Sequence, residues 1–333
     1  MEDFLAILVS IFFGFVPMFF FAYLAYWTDR YEKEPKLLLF GVFFWGAIVA
    51  AGGAFIVNTL LGLGVYMFTA SEQLTDISTG TLIAPLVEET LKGLAVLAVF
   101  LIFRHEFDSI LDGIVYAAIA AMGFAATENA YYIFSYGYQE GGFTGIIFLV
   151  FVRVILVGWQ HPFYTAFTGI GLAAARLSRN TLVKIIAPIA GFTLAMMTHS
   201  FHNLLASILP GLEGLAIGTF IDWSGWIFMF LFVMWAVYRD QRSIATHLRE
   251  EVALGIISPT HYRVACSAWQ QNAASLGALF NGRYRATTRF YQLAAELAHK
   301  KQQRLTLGEE GGNTAIIERL RAEMARLAPL AEV

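Results

Sequence analysis

Residues 84–93 read Ala84-Pro85-Leu86-Val87-Glu88-Glu89-Thr90-Leu91-Lys92-Gly93, and apolar sequence continues for most of a helix on either side. Three ionisable groups therefore sit inside what otherwise reads as a membrane span. A charge placed in hydrocarbon costs roughly 2.5–3.5 kcal/mol on insertion scales, so such groups persist only where they face the protein interior. On a helix Glu88 and Lys92 are i,i+4 and Glu89 and Lys92 are i,i+3, which lets the ammonium reach either carboxylate. A single Glu–Lys pair would read as a structural clamp between helices. Two adjacent glutamates with one lysine leave a surplus carboxylate, and that surplus points to chemistry.

The whole composition agrees with a membrane setting. The chain is 58% hydrophobic and 14% charged, with a mean hydropathy of +0.62, whereas soluble domains carry roughly one-quarter charged residues. Of the 22 Lys and Arg residues, 13 follow Tyr238. The single cysteine, Cys266, excludes a disulfide framework within one chain. No basic stripe with interleaved aromatics occurs, so no nucleic-acid partner is expected. Met1-Glu2-Asp3 is acidic where a signal peptide would be basic, and residues 4–27 read as a retained first span.

Seven apolar segments lie near 4–27, 37–64, 80–103, 109–135, 146–176, 183–209 and 215–238, each long enough to cross a bilayer. The expected fold is an all-α, polytopic bundle of about seven transmembrane helices. Connections after the first, third, fifth and seventh segments hold Arg30, Lys33, Lys36, Arg104, Arg176, Arg179, Lys184, Arg239 and Arg242; the others hold only acidic residues, Glu72, Asp76, Glu140 and Glu213. The positive-inside rule then sets a multi-pass protein of the cytoplasmic membrane, N-terminus outside and C-terminus in the cytoplasm. Residues 1–242 read as the transmembrane domain. Residues 243–333 read as a small helical cytosolic tail, with Ile316, Ile317, Leu320, Met324 and Leu327 on one stripe. Ala50-Ala51-Gly52-Gly53-Ala54 and Gly169-Ile170-Gly171 read as close helix packing. Asp108 and Asp112 read as a solvated helix end.

Depth gathers the remaining polar groups. Counted along their segments, Glu88 and Glu89 lie about 12–14 Å below the outer surface, Glu128 and His202 about 11 Å, and His199 about 15 Å. His161 falls at about 16–24 Å, depending on where the fifth segment begins. Four segments thus place Glu88, Glu89, Glu128, His161, His199, His202 and Asn203 in one slab. Peptide hydrolysis needs an activated water, a group that steadies the oxyanion and a proton donor for the leaving amine. A buried glutamate suits the base, Lys92 would hold one carboxylate ionised, and His199 with Asn203 could donate to an oxyanion. The same region offers zinc ligands, from Glu128, His161, His199 and His202, since two His and one Glu make a catalytic zinc set. The residues alone leave both mechanisms open. An ion-coupled transporter, which also keeps carboxylates and histidines at membrane depth, is the rival; it would show inverted repeats and broken helices, and Pro85 and Pro162 are candidate breaks.

Glu88-Glu89-x-x-Lys92, Phe124-x-x-x-Glu128-Asn129, His161 and His199-x-x-x-Asn203, with Asp29-Arg30-Tyr31-Glu32-x-Glu34-Pro35 before them, resemble the motif series of the PrsW family of intramembrane proteases. That family groups with the CAAX prenyl endopeptidases and bacteriocin-processing proteins, and the match covers roughly residues 28–205. The resemblance implies a membrane-embedded endopeptidase making the extracytoplasmic-side, site-1-type cut in a single-pass membrane protein such as an anti-sigma factor. Glu88 and Glu89 would supply the base, with Lys92 paired to one of them. His199 and Asn203 would stabilise the oxyanion, and Glu128 and His161 would complete the site. The related prenyl proteases carry His where this chain has Glu128, a departure towards the PrsW type.

Overall fold

The apolar segments fold as helices, and the structure, a computed structural model, describes residues 1–29, 31, 33–209, 211–309 and 311–331, among which no strand occurs. In chain order the helices are α1 (Glu2–Thr28), α2 (Lys36–Phe44), α3 (Ala51–Thr69), α4 (Glu72–Ser78), α5 (Ala84–Ile102), α6 (Ile110–Tyr132), α7 (Gln139–Val150), α8 (Gln160–Leu177), α9 (Thr181–Ile208) and α10 (Gly211–His247). The tail adds α11 (Arg249–Ala253), α12 (Pro259–Ala265), α13 (Ala268–Phe280), α14 (Tyr284–Leu307) and α15 (Asn313–Leu327). Among the described residues, five helical stretches are long and apolar enough to cross a membrane: Glu2–Thr28, Lys36–Thr69, Ile110–Leu177, Thr181–Ile208 and Gly211–Ala253. Ile110–Leu177 holds two of the seven apolar segments, because the chain turns at Gly142 (φ 60°). α5 is absent from that set because of its own Glu88, Glu89 and Lys92.

α6 is the centre of the bundle. Every residue from 111 to 126 is buried, and α1, α2, α5 and α8 pack around it. Its run of Ala and Gly explains the position, since small residues let helix backbones touch. A methyl on Gly123 would sit 1.9 Å from the Phe43 carbonyl, and one on Gly113 would sit 2.3 Å from that of Gly169. The glycines expected to pack do so unevenly: Gly169 and Gly171 meet backbone and Gly53 meets Leu91, while Gly52 faces open space.

π-helical turns interrupt the helices at Trp45–Ala50, Thr79–Ile83, Ile133–Tyr138 and Phe151–Leu156. A π turn shifts the carbonyl ladder by one residue, and in an apolar medium each exposed carbonyl needs a partner. Side chains from neighbouring helices provide three. Thr127 donates to the Ala47 carbonyl (2.6 Å), Asn203 to that of Gly80 (2.8 Å) and Trp223 to that of Leu156 (2.9 Å). The fifth apolar segment is broken rather than continuous: after Phe151–Leu156 the backbone leaves helical geometry and restarts at Gln160. Pro85 stands inside a continuous helical run at the start of α5, and Pro162 lies in the first turn after the break.

α10 runs through the expected boundary at 242/243 without interruption. Beyond it Ile244, Leu248, Phe290, Leu293, Ile317, Leu320 and Met324 form a separate apolar core that also takes Tyr31. Asp108 and Asp112 are not solvated. Asp112 caps α6 through Ser109, and Asp108 is buried against Lys300 (3.1 Å) and His299 (3.4 Å) of α14. The tail thus docks on the α5–α6 connection. Of the Asp29–Pro35 motif, Arg30 and Glu32 lie outside the described residues; Glu34 is buried and accepts the Tyr116 hydroxyl of α6.

Candidate active site

α5 presents Glu88, Glu89 and Lys92 inward, and all three are buried. Their surroundings differ. Glu89 takes Lys92 Nζ at 2.5 Å and His199 Nδ1 at 3.0 Å on one oxygen, and the Thr165 hydroxyl at 2.8 Å on the other. Glu88 lies 4.0 Å from Lys92 Nζ and 3.8 Å from His199 Nε2 through an Oε2 that is buried without a hydrogen-bond partner. Since the Nδ1–H of His199 donates to Glu89, its Nε2 lone pair is left facing Glu88.

The break before α8 brings in His161 one residue into the restarted helix. Lys92 approaches its Nδ1 at 3.2 Å, and its Nε2 lies 2.8 Å from Glu128. Arg153, on the π turn before the break, clamps Glu128 at 2.5 Å and Asn129 at 2.9 Å, with its guanidinium 4.0 Å from the centre of the Tyr132 ring. Phe124 carries the Lys92 ammonium 4.5 Å above its ring centre. Three carboxylates (Glu88, Glu89, Glu128) face two fixed cations (Lys92, Arg153). One carboxylate of the cluster therefore has no fixed counter-charge.

A cavity of about 340 Å³ opens onto this cluster, lined by Glu88, Glu128, His161, Tyr164, His199 and Asn203 among others. Glu89 and Lys92 lie behind its wall. The slab inferred from depth therefore closes into one site for Glu88, Glu89, Lys92, Glu128, His161 and His199. Asn203 and His202 reach the same cavity with other engagements: Asn203 holds the Gly80 carbonyl, and His202 faces Asp222 of α10 at 3.0 Å and Gln160 at 3.1 Å.

The donor atoms that converge are those of Glu88, His161 and His199, all within 4.8 Å of one another. This differs from the set expected from spacing, since Glu88 joins the two histidines while His202 turns to Asp222. The group fits a divalent cation in type: two imidazoles and a carboxylate oxygen without a partner, where carboxylates outnumber fixed cations. Glu89 on the Nδ1 of His199 is the kind of outer hydrogen bond that orients a ligating histidine. His161 has both nitrogens engaged and would release Lys92 or Glu128 to bind a metal.

Sequence reading did not single out Tyr164, Thr165 or Asp222. Tyr164 stacks on His199 (ring centres 4.7 Å apart), and its buried hydroxyl has no partner. Tyr164 and Thr165 follow His161 by three and four residues, so helical spacing from that histidine was the available signal. Asp222 was visible as a carboxylate within the seventh apolar segment.

A family model described as PrsW family intramembrane metalloprotease matches residues 34–237. Among curated proteins, the chain is 29% identical to Protease PrsW of Geobacillus kaustophilus (strain HTA426) over 46% of this chain and 60% of that one. It is 36% identical to Protease PrsW of Clostridioides difficile (strain 630) over 32% and 43% of the two chains, and 26% identical to that of Bacillus subtilis (strain 168) over 63% and 83%. The first two alignments thus span less than two-thirds of the relatives. No solved structure matches.

Proposed function

Because the chain belongs to the PrsW family of intramembrane metalloproteases, we propose that it is a membrane-embedded endopeptidase that hydrolyses a peptide bond of a membrane-protein substrate. The observation that carries this reading is the convergence of Glu88, His161 and His199 from three helices on one cavity, with Glu88 Oε2 buried and unpartnered. The sequence resemblance and the estimated depth support a cut near the extracytoplasmic side of a single-pass protein of the anti-sigma-factor type. Residues 1–242 are read as the protease domain and 243–333 as a cytosolic tail.

In this reading Glu88 is the base. It takes a proton from water as the oxygen attacks the peptide carbonyl carbon, and returns it to the leaving nitrogen as the C–N bond breaks. Glu89 is a positioning residue: held by Lys92 and Thr165, it fixes the tautomer and orientation of His199. Glu128, locked by Arg153, does the same for His161. The hydroxyl of Tyr164 is the donor for the carbonyl oxygen as negative charge develops there. Asn203, spent on the Gly80 carbonyl, holds the π turn that precedes α5 against α9. In the zinc alternative Glu88 would be a ligand beside His161 and His199 rather than the base, and the metal would supply Lewis acidity and acidify water. The transporter alternative expects broken helices, and the interruption before α8 is one; the family match and the unpartnered carboxylate support hydrolysis.

The deciding experiment is cleavage of single-pass membrane substrates by the purified protein, beside Glu88→Gln and Glu89→Gln, each with and without a strong chelator. Cleavage by wild type and none by folded Glu88→Gln is expected. Chelator sensitivity selects zinc and resistance selects glutamate-activated water. No cleavage across a broad panel, or normal cleavage by both variants, would overturn the protease reading in favour of ion transport.

A further inference from the structure

Helix α13 carries a face the bundle does not use. It buries Gln271, Ala274 and Ala278 and turns outward Trp269 (79% exposed), Leu276, Leu279 and Phe280 (92% exposed). Positions 269, 273, 276 and 280 follow helical spacing and make one apolar stripe. Contiguous exposure of large apolar side chains marks an interaction surface.

Charge and position select the partner. Residues 252–295 contain four arginines, Arg263, Arg283, Arg285 and Arg289, and no aspartate or glutamate. Arg283 and Arg285 follow Phe280 directly and are exposed. At its other end α13 is tied to α10, where Gln241 donates to the Cys266 carbonyl at 2.8 Å. Gln241 stands three residues past Tyr238, where the last apolar segment ends. Tyr31, three residues past the end of α1, shares the tail's apolar core with Ala274 of α13. α13 therefore lies beside the places where α1 and α10 leave the apolar zone.

We propose that α13 is an interfacial anchor. Trp269, Leu276 and Phe280 insert into the acyl boundary of the leaflet at which α1 ends, and Arg283 and Arg285 meet the phosphates of anionic lipid headgroups. The inference rests on the membrane setting and is independent of the peptidase reading.

The test uses the full chain in vesicles of phosphatidylcholine with phosphatidylglycerol. A nitroxide is attached at Leu276→Cys or Phe280→Cys in a Cys266→Ser background, and an Arg319→Cys label on the exposed face of α15 serves as the water-facing reference. The ratio of oxygen to nickel-chelate accessibility at 276 and 280 should exceed that at 319 several-fold. It should fall when Arg283→Gln and Arg285→Gln are combined, and fall likewise in pure phosphatidylcholine. Ratios at 276 and 280 equal to that at 319 would overturn the anchor. Spin–spin broadening between labels would assign the face to a second copy instead. High ratios indifferent to both arginines and lipid charge would remove the headgroup contact from the proposal.

Discussion

Glu88 and Glu89 are neighbours in the chain with opposite surroundings, and that contrast makes them separable by mutation. Glu89 has partners on both oxygens; Glu88 Oε2 has none and faces the cavity. Glu88→Gln should abolish turnover while leaving substrate binding intact. Glu89→Gln should weaken both activity and stability, because Lys92 would then keep only Glu88, at 4.0 Å, as a counter-charge. For Tyr164→Phe we expect a fall in kcat of about 10²–10³-fold with little change in KM, the usual effect of removing one oxyanion donor; an unchanged kcat would reassign the hydroxyl. At this scale the charged members of the site were legible, because an ionisable group inside an apolar run stands out against its background. Tyr164 and Thr165 were not, since hydroxyl-bearing residues are ordinary in such runs and only the fold shows which ones turn towards the histidines.

Helices were legible as lengths of apolar sequence, and their interruptions only in part. The break that delivers His161 falls just before Pro162, one of the two candidate breaks, while nothing in the composition of Phe151–Leu156 marks the π turn that leads into it. The π turns are similar: their sequence is plain, and their partners Thr127, Asn203 and Trp223 come from distant helices. Packing at Gly113 gives a direct test of the α6–α8 contact. Gly113→Ala would force a methyl to 2.3 Å from the Gly169 carbonyl, and a loss of about 1–3 kcal/mol in detergent unfolding is expected from such overpacking. The tail's dock is testable through Asp108. Burial alone would raise this carboxyl, but the Lys300 ammonium and His299 overcome that and hold it well below its usual range. A carboxylate depressed in the folded state contributes in full above its unfolded value of about 4, and the contribution is lost as acid carries the pH down through the folded value. Asp108→Asn leaves Lys300 without that charge and should cost about 3–5 kcal/mol, seen as faster proteolysis of the tail at neutral pH.

As a whole molecule, the protein is a bundle whose charges are sorted along its length. The sorting sets the proposed orientation, which reporter fusions in the connections at 70–78 and 178–180 should reveal as outside and cytoplasmic respectively. The Asp108–Lys300 contact links the tail to the connection that leads out of α5, so deletion of 243–333 is expected to change the cleavage rate; an unaltered rate would make the tail a passive appendage. The tail's helices and its 316–327 stripe were readable from periodicity. Its attachment was not, because Asp108 and Asp112 looked like an ordinary polar helix end until α14 was seen lying across them.

α5 is the helix that carries the proposed base, and its own charges keep it out of the set of stretches apolar enough to cross a membrane unaided. A nascent chain therefore has a problem at this point of synthesis: α5 leaves the insertion machinery poorly matched to lipid. It becomes stable there only once Glu89 and Lys92 have neutralised each other and α6 and α8 have arrived to cover them. Insertion of α5 and assembly of the proposed site are therefore expected to coincide. Lys92→Met alone should lower the yield of inserted protein by stranding Glu89. Lys92→Met combined with Glu89→Gln should restore insertion without restoring cleavage, separating the assembly of this protein from its proposed chemistry.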